Sequence, residues 1–233
     1  MDEQFWQARW AQNQIGFHQR EVNPYLERYW PQLELPQGCQ VLVPLCGKTL
    51  DLIWLAGQGY KVLVVELAEQ AVRDFFAEQG LIPEVAQQGA LRRYSAGTIE
   101  ILQGDFFAVT ADDVADCRAL YDRAAIIALP PAMQDDYVAH LERILSRPCD
   151  GLMVTLDYEQ ARLEGPPFSV PETEVRRHLE AGWEVAMLER HDVLEQNWKF
   201  ASRGLDSLHE PVFRLKRRWG VSGGEVWPGC SAG

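Results

Sequence analysis

The sequence has no apolar run near the roughly 18 to 20 residues that a membrane-spanning helix needs. Its opening, MDEQFWQARWAQNQ, is acidic and aromatic, where a signal or transit peptide is apolar or basic. A cytoplasmic chain without a membrane partner is therefore expected. The five cysteines, Cys39, Cys46, Cys117, Cys149 and Cys230, are odd in number and scattered, with no CxxC and no neighbouring Cys/His pair. That spacing offers neither a disulfide framework nor a metal site, so no metal is expected. Positive charge is scarce: 22 Lys and Arg against 34 Asp and Glu leave a formal charge of −12. This argues against nucleic acid as a partner. No internal repeat, low-complexity tract or flexible linker divides the chain.

What is present is a globular composition, 47% hydrophobic and 24% charged, with 8 Trp, 7 Tyr and 9 Phe to fill a core. Residues 1–38 read as an N-terminal layer: Trp6 and Trp10 share one face of a first helix, and a second runs over Asn23 to Trp30 before Pro31 and Pro36 interrupt it. From residue 39 the pattern changes to short apolar strands separated by helices. Strands are expected at 39–45, 60–66, 98–103, 117–122, 151–156, 183–188 and 212–219, with the last two forming an antiparallel hairpin. Near-continuous apolar strands need cover on both faces. The expected fold is α/β, a seven-stranded mostly parallel sheet with an antiparallel last strand and helices on both sides. Residues 1–233 then form one domain with 1–38 as a helical lid. The stretch Ile82 to Gly97 reads as an excursion, and the tail VSGGEVWPGCSAG as a frayed end.

The chemistry-bearing pattern is a strand, then Leu45-Cys46-Gly47-Lys48, a helix, and a second strand ending in Glu66, 19 residues after Gly47. Gly47 admits a ligand to the backbone, and a carboxylate at Glu66 can accept from two ribose hydroxyls. A dinucleotide site calls for G-x-G-x-x-G and a P-loop for G-x-x-x-x-G-K-[ST]. Neither occurs, since residue 42 is Leu where a P-loop has its first Gly. An adenosine site and a structural turn both stay open on these residues. If a ligand binds, S-adenosylmethionine fits better than a nicotinamide dinucleotide. Asp105-Phe106, closing the third expected strand, reads either as a cap and a core ring or as partners of an adenine. Asp122-Arg123, closing the fourth, reads either as an ion pair or as a guanidinium held over an apolar cleft by the run Ala124 to Leu129. His18 has no Ser/Asp or Cys/Asp partner in view, and Cys46 reads as a buried thiol.

Taken together, Trp6-x3-Trp10, Gly16-Phe17-His18-Gln19, Pro44-Leu45-Cys46-Gly47-Lys48, Val65-Glu66, Asp122-Arg123-x-Ala125 and Gly165-Pro166-Pro167-Phe168 resemble the thiopurine S-methyltransferase family over nearly the whole chain. The resemblance implies a Rossmann-like methyltransferase fold. It implies transfer of a methyl group from S-adenosylmethionine to thiopurines and other aromatic or heterocyclic thiols, leaving S-adenosylhomocysteine. By the same resemblance Trp6, Trp10, Leu45, Glu66, Asp105 and Phe106 hold the cofactor. Arg123 faces the substrate with Asp122 orienting it, and Phe17 and Pro167 line the acceptor pocket. The short N-terminal stretch resembles bacterial members, which are linked to selenium and tellurium compounds and to tellurite resistance. A monomer whose partner is a small-molecule thiol is expected. Ala124, where members outside bacteria often have Gly, and the Gly/Trp tail depart from the family pattern.

Overall fold

The structure, a computed structural model, describes residues 3–12, 14–15, 18–145 and 148–217. Its strands are Gln40–Pro44 (β1), Lys61–Glu66 (β2), Glu84–Gln88 (β3), Leu91–Ala96 (β4), Ile99–Gln103 (β5), Cys117–Arg123 (β6), Asp150–Val154 (β7), Trp183–Asp192 (β8) and His209–Arg217 (β9). They form one sheet in the order β3-β4-β5-β2-β1-β6-β7-β9-β8. The block from β5 to β7 is parallel; β4 joins it antiparallel on one side, and β9 and β8 on the other.

The alternation along each central strand explains why both faces need cover. Val41 and Val43 of β1, Val62 and Val64 of β2 and Tyr121 of β6 pack in one core with Trp30 and Leu33. The same core holds residues of Pro24–Tyr29 (α2), Asp51–Gly57 (α3) and Glu69–Glu78 (α4). The intervening Leu42, Leu63 and Leu120 enter the opposite core, beneath Pro131–Ile144 (α5) and Glu172–Leu179 (α6). A period of two on the strands is thus converted into two cores.

Asp51, at the first turn of α3, ties the N-terminal layer to this frame. It is 1% exposed, accepts the Asn23 N–H at 2.8 Å and the Tyr121 hydroxyl at 3.0 Å, and so fixes where α2 begins. The Asn23 side chain in turn accepts the Tyr25 N–H and caps α2.

The sheet has nine strands, where the sequence pattern leads to seven. The two extra strands, β3 and β4, occupy the stretch expected to be an excursion. β3, EVAQQ, is exposed at four of its five residues, so it lacks the half-buried alternation that marks a strand in sequence. The expected frayed tail lies outside the described residues.

Candidate functional site

The parallel strands deliver their carboxyl ends to one edge, where the segments after β1, β2, β6 and β7 enclose a cavity of about 1130 Å³. At one end is the turn after β1. The Leu45 N–H donates to Val65 O at 2.7 Å and keeps the turn attached to β2. Leu45 (φ 49°) and Gly47 (φ 61°) both adopt the left-handed region, which glycine enters without steric penalty. The Gly47 N–H then donates to Glu66 Oε2 at 2.8 Å, and the Ala68 N–H to Oε1 at 2.8 Å. Burial holds the Glu66 carboxyl above its usual range, and these backbone donors oppose the shift. A carboxylate oxygen has room for a second donor, so each Glu66 oxygen keeps capacity for a ligand.

Trp6 and Trp10, from Glu3–Ala11 (α1), line the same end of the cavity. Trp10 is buried against Ala68, Ala71 and Ile15, docking α1 at the start of α4. Lys48 lines this end too and pairs with Glu78. His18 faces the cavity with its pKa lowered, first by burial and then by the Lys48 charge. Burial pushes the Cys46 thiol well up, which keeps it neutral.

At the other end stands Arg123, the last residue of β6. Because successive strand residues face opposite sides, Asp122 and Arg123 part company. Asp122 is fully buried on the α5 side, where it accepts the Tyr137 hydroxyl (2.8 Å) and the N–H groups of Ala125 (3.2 Å) and Ile126 (3.4 Å). Burial pushes its carboxyl up to about 6. Asp122 therefore fixes the turn that follows Arg123 and does not hold the guanidinium by contact. Arg123 lines the cavity and has no ion pair among the described residues.

The walls around Arg123 are apolar. Ala124, Ile127 and Ala128 face the cavity, while Ala125, Ile126 and Leu129 go into the core. The Gly165-Pro166-Pro167 wall is pinned by the Phe168 N–H donating to Ile127 O at 2.7 Å and by the Tyr158 hydroxyl donating to Pro167 O at 2.5 Å. Gly165 is required here: its φ is 78°, and a Cβ would fall 2.6 Å from the Phe168 ring. Arg162, Lys199 and Arg203 add positive charge to the cavity lining, with Glu164 and Glu210 as the acidic groups of that side.

The structure thus brings Trp6, Trp10, Leu45, Glu66, Arg123 and Pro167 to one cavity. Asp105 and Phe106 follow β5 outside its lining. The Asp105 carboxylate accepts the Phe107 N–H at 3.1 Å, and the Phe106 ring is buried against Tyr137 and His140. Phe17 lies outside the described residues. Among the described residues no three His, Cys, Asp or Glu side chains gather as metal ligands, and no helix is long and apolar enough to cross a membrane. Sequence reading missed Asp51, whose partners Asn23 and Tyr121 are distant in the chain, and Glu210, which β9 brings to the cavity.

The family model for thiopurine S-methyltransferase (TPMT) matches residues 1–218. The chain belongs to that family. It is 63% identical over 218 residues to a thiopurine S-methyltransferase of Azotobacter vinelandii, covering 94% of this chain and all of the relative. It is 57% identical over 216 residues to one of Pseudomonas fluorescens, covering 93% and 99%. Among solved structures it is similar to a Burkholderia thailandensis 1,6-didemethyltoxoflavin-N1-methyltransferase with bound 1,6-didemethyltoxoflavin and S-adenosylhomocysteine. That match has a TM-score of 0.62, 13% identity, and coverage of 92% and 86%. A SAM-dependent methyltransferase from Anabaena variabilis gives a TM-score of 0.61 at 11% identity, with coverage of 93% and 95%. The fold is that of the Rossmann-like methyltransferases.

Proposed function

We propose that this chain transfers the methyl group of S-adenosylmethionine to the sulfur of thiopurines and other aromatic or heterocyclic thiols, releasing S-adenosylhomocysteine. The observation that carries the reading is one cavity with a ribose-binding chemistry at one end, Glu66 beside the Leu45–Gly47 backbone, and an unpaired guanidinium among apolar walls at the other. The residues present fit the cofactor. Glu66 has lone pairs for a ribose diol, Trp6 and Trp10 offer indole surface, and about 1130 Å³ exceeds what one drug-sized ligand fills.

When bound, S-adenosylmethionine supplies an already activated sulfonium methyl group. The protein's part is then alignment. Glu66 and the Leu45 turn fix one reactant, while Pro167, Ile127 and Ala128 hold a flat ring opposite it, and such positioning supplies several kcal/mol. Arg123 favours the thiolate over the thiol or donates a hydrogen bond to a ring nitrogen. Asp122 supports Arg123 through the turn it braces. Asp105 keeps one carboxylate oxygen for an adenine amine, Phe106 backs that position from the core, and the N-terminal helices act as a lid. The same reading extends to selenium and tellurium compounds, with tellurite resistance as a consequence. It describes a cytoplasmic, metal-independent monomer with no nucleic-acid or membrane partner.

The test is mass-spectrometric detection of methyl transfer across matched thiol, selenol, hydroxyl and amine acceptors. Methylated thiol with the hydroxyl counterpart unchanged is expected. Transfer to oxygen or nitrogen alone, or S-adenosylmethionine binding with no methylated product, overturns the reading.

A further inference from the structure

The cavity contains a carboxylate, Glu210, at its acceptor side. The register of the sheet sets Arg123 opposite Val154, and Val154 opposite Val212. Glu210 lies two residues before Val212, so it leaves the sheet from the same face as Arg123 and beyond the same edge. Both side chains line the cavity. From α2, on that face, the Tyr25 phenol stands close enough to the Glu210 carboxylate for each to shift the other's proton affinity. A partly buried carboxylate thus shares with an unpaired cation the half of the cavity assigned to the acceptor.

We propose that Glu210 accepts the proton of the acceptor thiol. The inference rests on the S-methyl-transfer reading. In the step, the thiol S–H bond breaks and its proton goes to the Glu210 carboxylate. The sulfur electron pair forms the new S–CH3 bond, the bond from methyl to the sulfonium sulfur breaks, and that electron pair stays on the departing neutral sulfur. Glu210 then returns the proton to water.

The surroundings of Glu210 suit this role. Burial pushes its carboxyl up, making it a stronger base than an exposed carboxylate, while Arg123 and the Tyr25 hydroxyl oppose that shift and favour the ionised form. His191 stands across from it on β8 and is itself paired with Glu189, which also binds Arg28 and Tyr29. Lys199 and Arg203 contribute further positive charge to the cavity lining. The other candidate in the cavity, His18, is discouraged from taking a proton by burial and by the charges of Lys48, Arg123 and Arg20.

The experiment compares wild type, Glu210→Gln, Tyr25→Phe and His18→Gln over a series of aromatic and alkyl thiols of graded acidity. For Glu210→Gln, kcat/KM should fall about 100-fold for thiols with pKa near 10 and less than about threefold for thiols already ionised near pH 6. In wild type, kcat/KM for a weakly acidic thiol should decline on acidification through the pKa of Glu210. That pKa is read independently by carbon-13 NMR titration of the carboxyl in the S-adenosylhomocysteine complex. Tyr25→Phe removes a hydroxyl that favours the carboxylate, so the NMR titration and the kinetic limb should both move to higher pH. If Glu210→Gln does not fold, this coincident movement in Tyr25→Phe carries the test alone. An equal loss for all thiols, a kinetic limb that stays while the NMR titration moves, or a thiol-acidity dependence that follows His18→Gln overturns the proposal. Wild type inactive on every thiol overturns the S-methyl-transfer reading instead.

Discussion

The two ends of the cavity are built in different ways. At the Glu66 end, the turn, strand and helix of the cradle fall within residues 44–78, with Trp6 and Trp10 of α1 lining it from outside that stretch, and the cradle's polar groups meet through bonds of 2.7–2.8 Å. At the Arg123 end, β6, β7, β9 and the 165–167 wall each contribute a side chain or two, and the guanidinium is left without an ion pair among the described residues. A contiguous stretch of chain makes a preformed cradle; an end assembled from distant segments is held together by buried anchors. Damage to an anchor should therefore spread through the acceptor end, and damage to the cradle should stay with the cofactor.

Asp122 offers the strongest way to break that comparison. Asp122→Ala leaves the Tyr137 hydroxyl and two backbone N–H groups without their acceptor inside the core. Each orphaned donor costs about 1–3 kcal/mol, so a loss of about 3 kcal/mol or more in urea unfolding is expected. Acceptor KM should rise in the folded fraction, with S-adenosylhomocysteine affinity retained. Asp122 also gives a pH signature. Its folded pKa of about 6 lies above the unfolded value of about 3.9, so the fold binds more protons between these limits. Stability should decline as pH rises from about 4 to about 6 and then level off. Asp122→Asn should remove this component, which Glu66 shares in direction, and unchanged pH dependence in the variant would contradict the assignment.

Glu66→Gln tests the cradle. The amide replaces an acceptor of backbone N–H groups with a donor, and it loses the charge that a ribose hydroxyl would address. Calorimetric titration should show S-adenosylmethionine binding weakened by about 1–3 kcal/mol. Discrimination between thiols should remain as in wild type. A folded variant of unaltered affinity would show that the cradle is only a structural turn.

The same contrast explains what could be read from sequence. β1, β2, β5, β6 and β7 announce themselves because strands covered on both faces are apolar almost throughout, as in Gln40-Val41-Leu42-Val43 and Lys61-Val62-Leu63-Val64-Val65. The edge hairpin of β3 and β4 does not, because Glu84-Val85-Ala86-Gln87 faces solvent and nothing selects for alternation there. Leu45, Gly47 and Glu66 share one short window, so their proximity follows from strand-helix-strand geometry. Asp51 and Glu210 look like ordinary surface acids in sequence. Asp51 is bonded to Tyr121, 70 residues beyond it, and Glu210 reaches the cavity only because β9 pairs with β7, neither of which a local spacing announces. The separation of Asp122 from Arg123 was readable in principle, since neighbours on a strand point apart; an expectation of mutual contact overlooked that period of two.

Arg123→Lys sharpens the acceptor end. Lysine keeps the charge but loses the planar fork, so orientation of a ring or a thiolate should suffer while cofactor binding does not. A fall in kcat/KM of about tenfold for a thiopurine, about 1.4 kcal/mol, is expected with little change in S-adenosylmethionine Kd or Tm. Equal weakening of both ligands together with a lower Tm would make Arg123 a structural residue.

The smallest effect is expected at Asp105, which stands at the carboxyl edge of β5 but outside the cavity lining. Its Oδ1 caps the Phe106–Ala108 turn, and asparagine keeps an oxygen for that bond, so Asp105→Asn should leave Tm near wild type. Only a bond from the remaining oxygen to an adenine amine would lose its charge. Because the residue is exposed, that bond competes with water, and S-adenosylhomocysteine affinity should fall about two- to fivefold, well short of the Glu66→Gln effect. Calorimetry on the two variants side by side decides whether the cofactor end is confined to the Leu45–Glu66 cradle. A loss at Asp105 matching that at Glu66 would extend the binding edge to β5 and make the cradle only half of it.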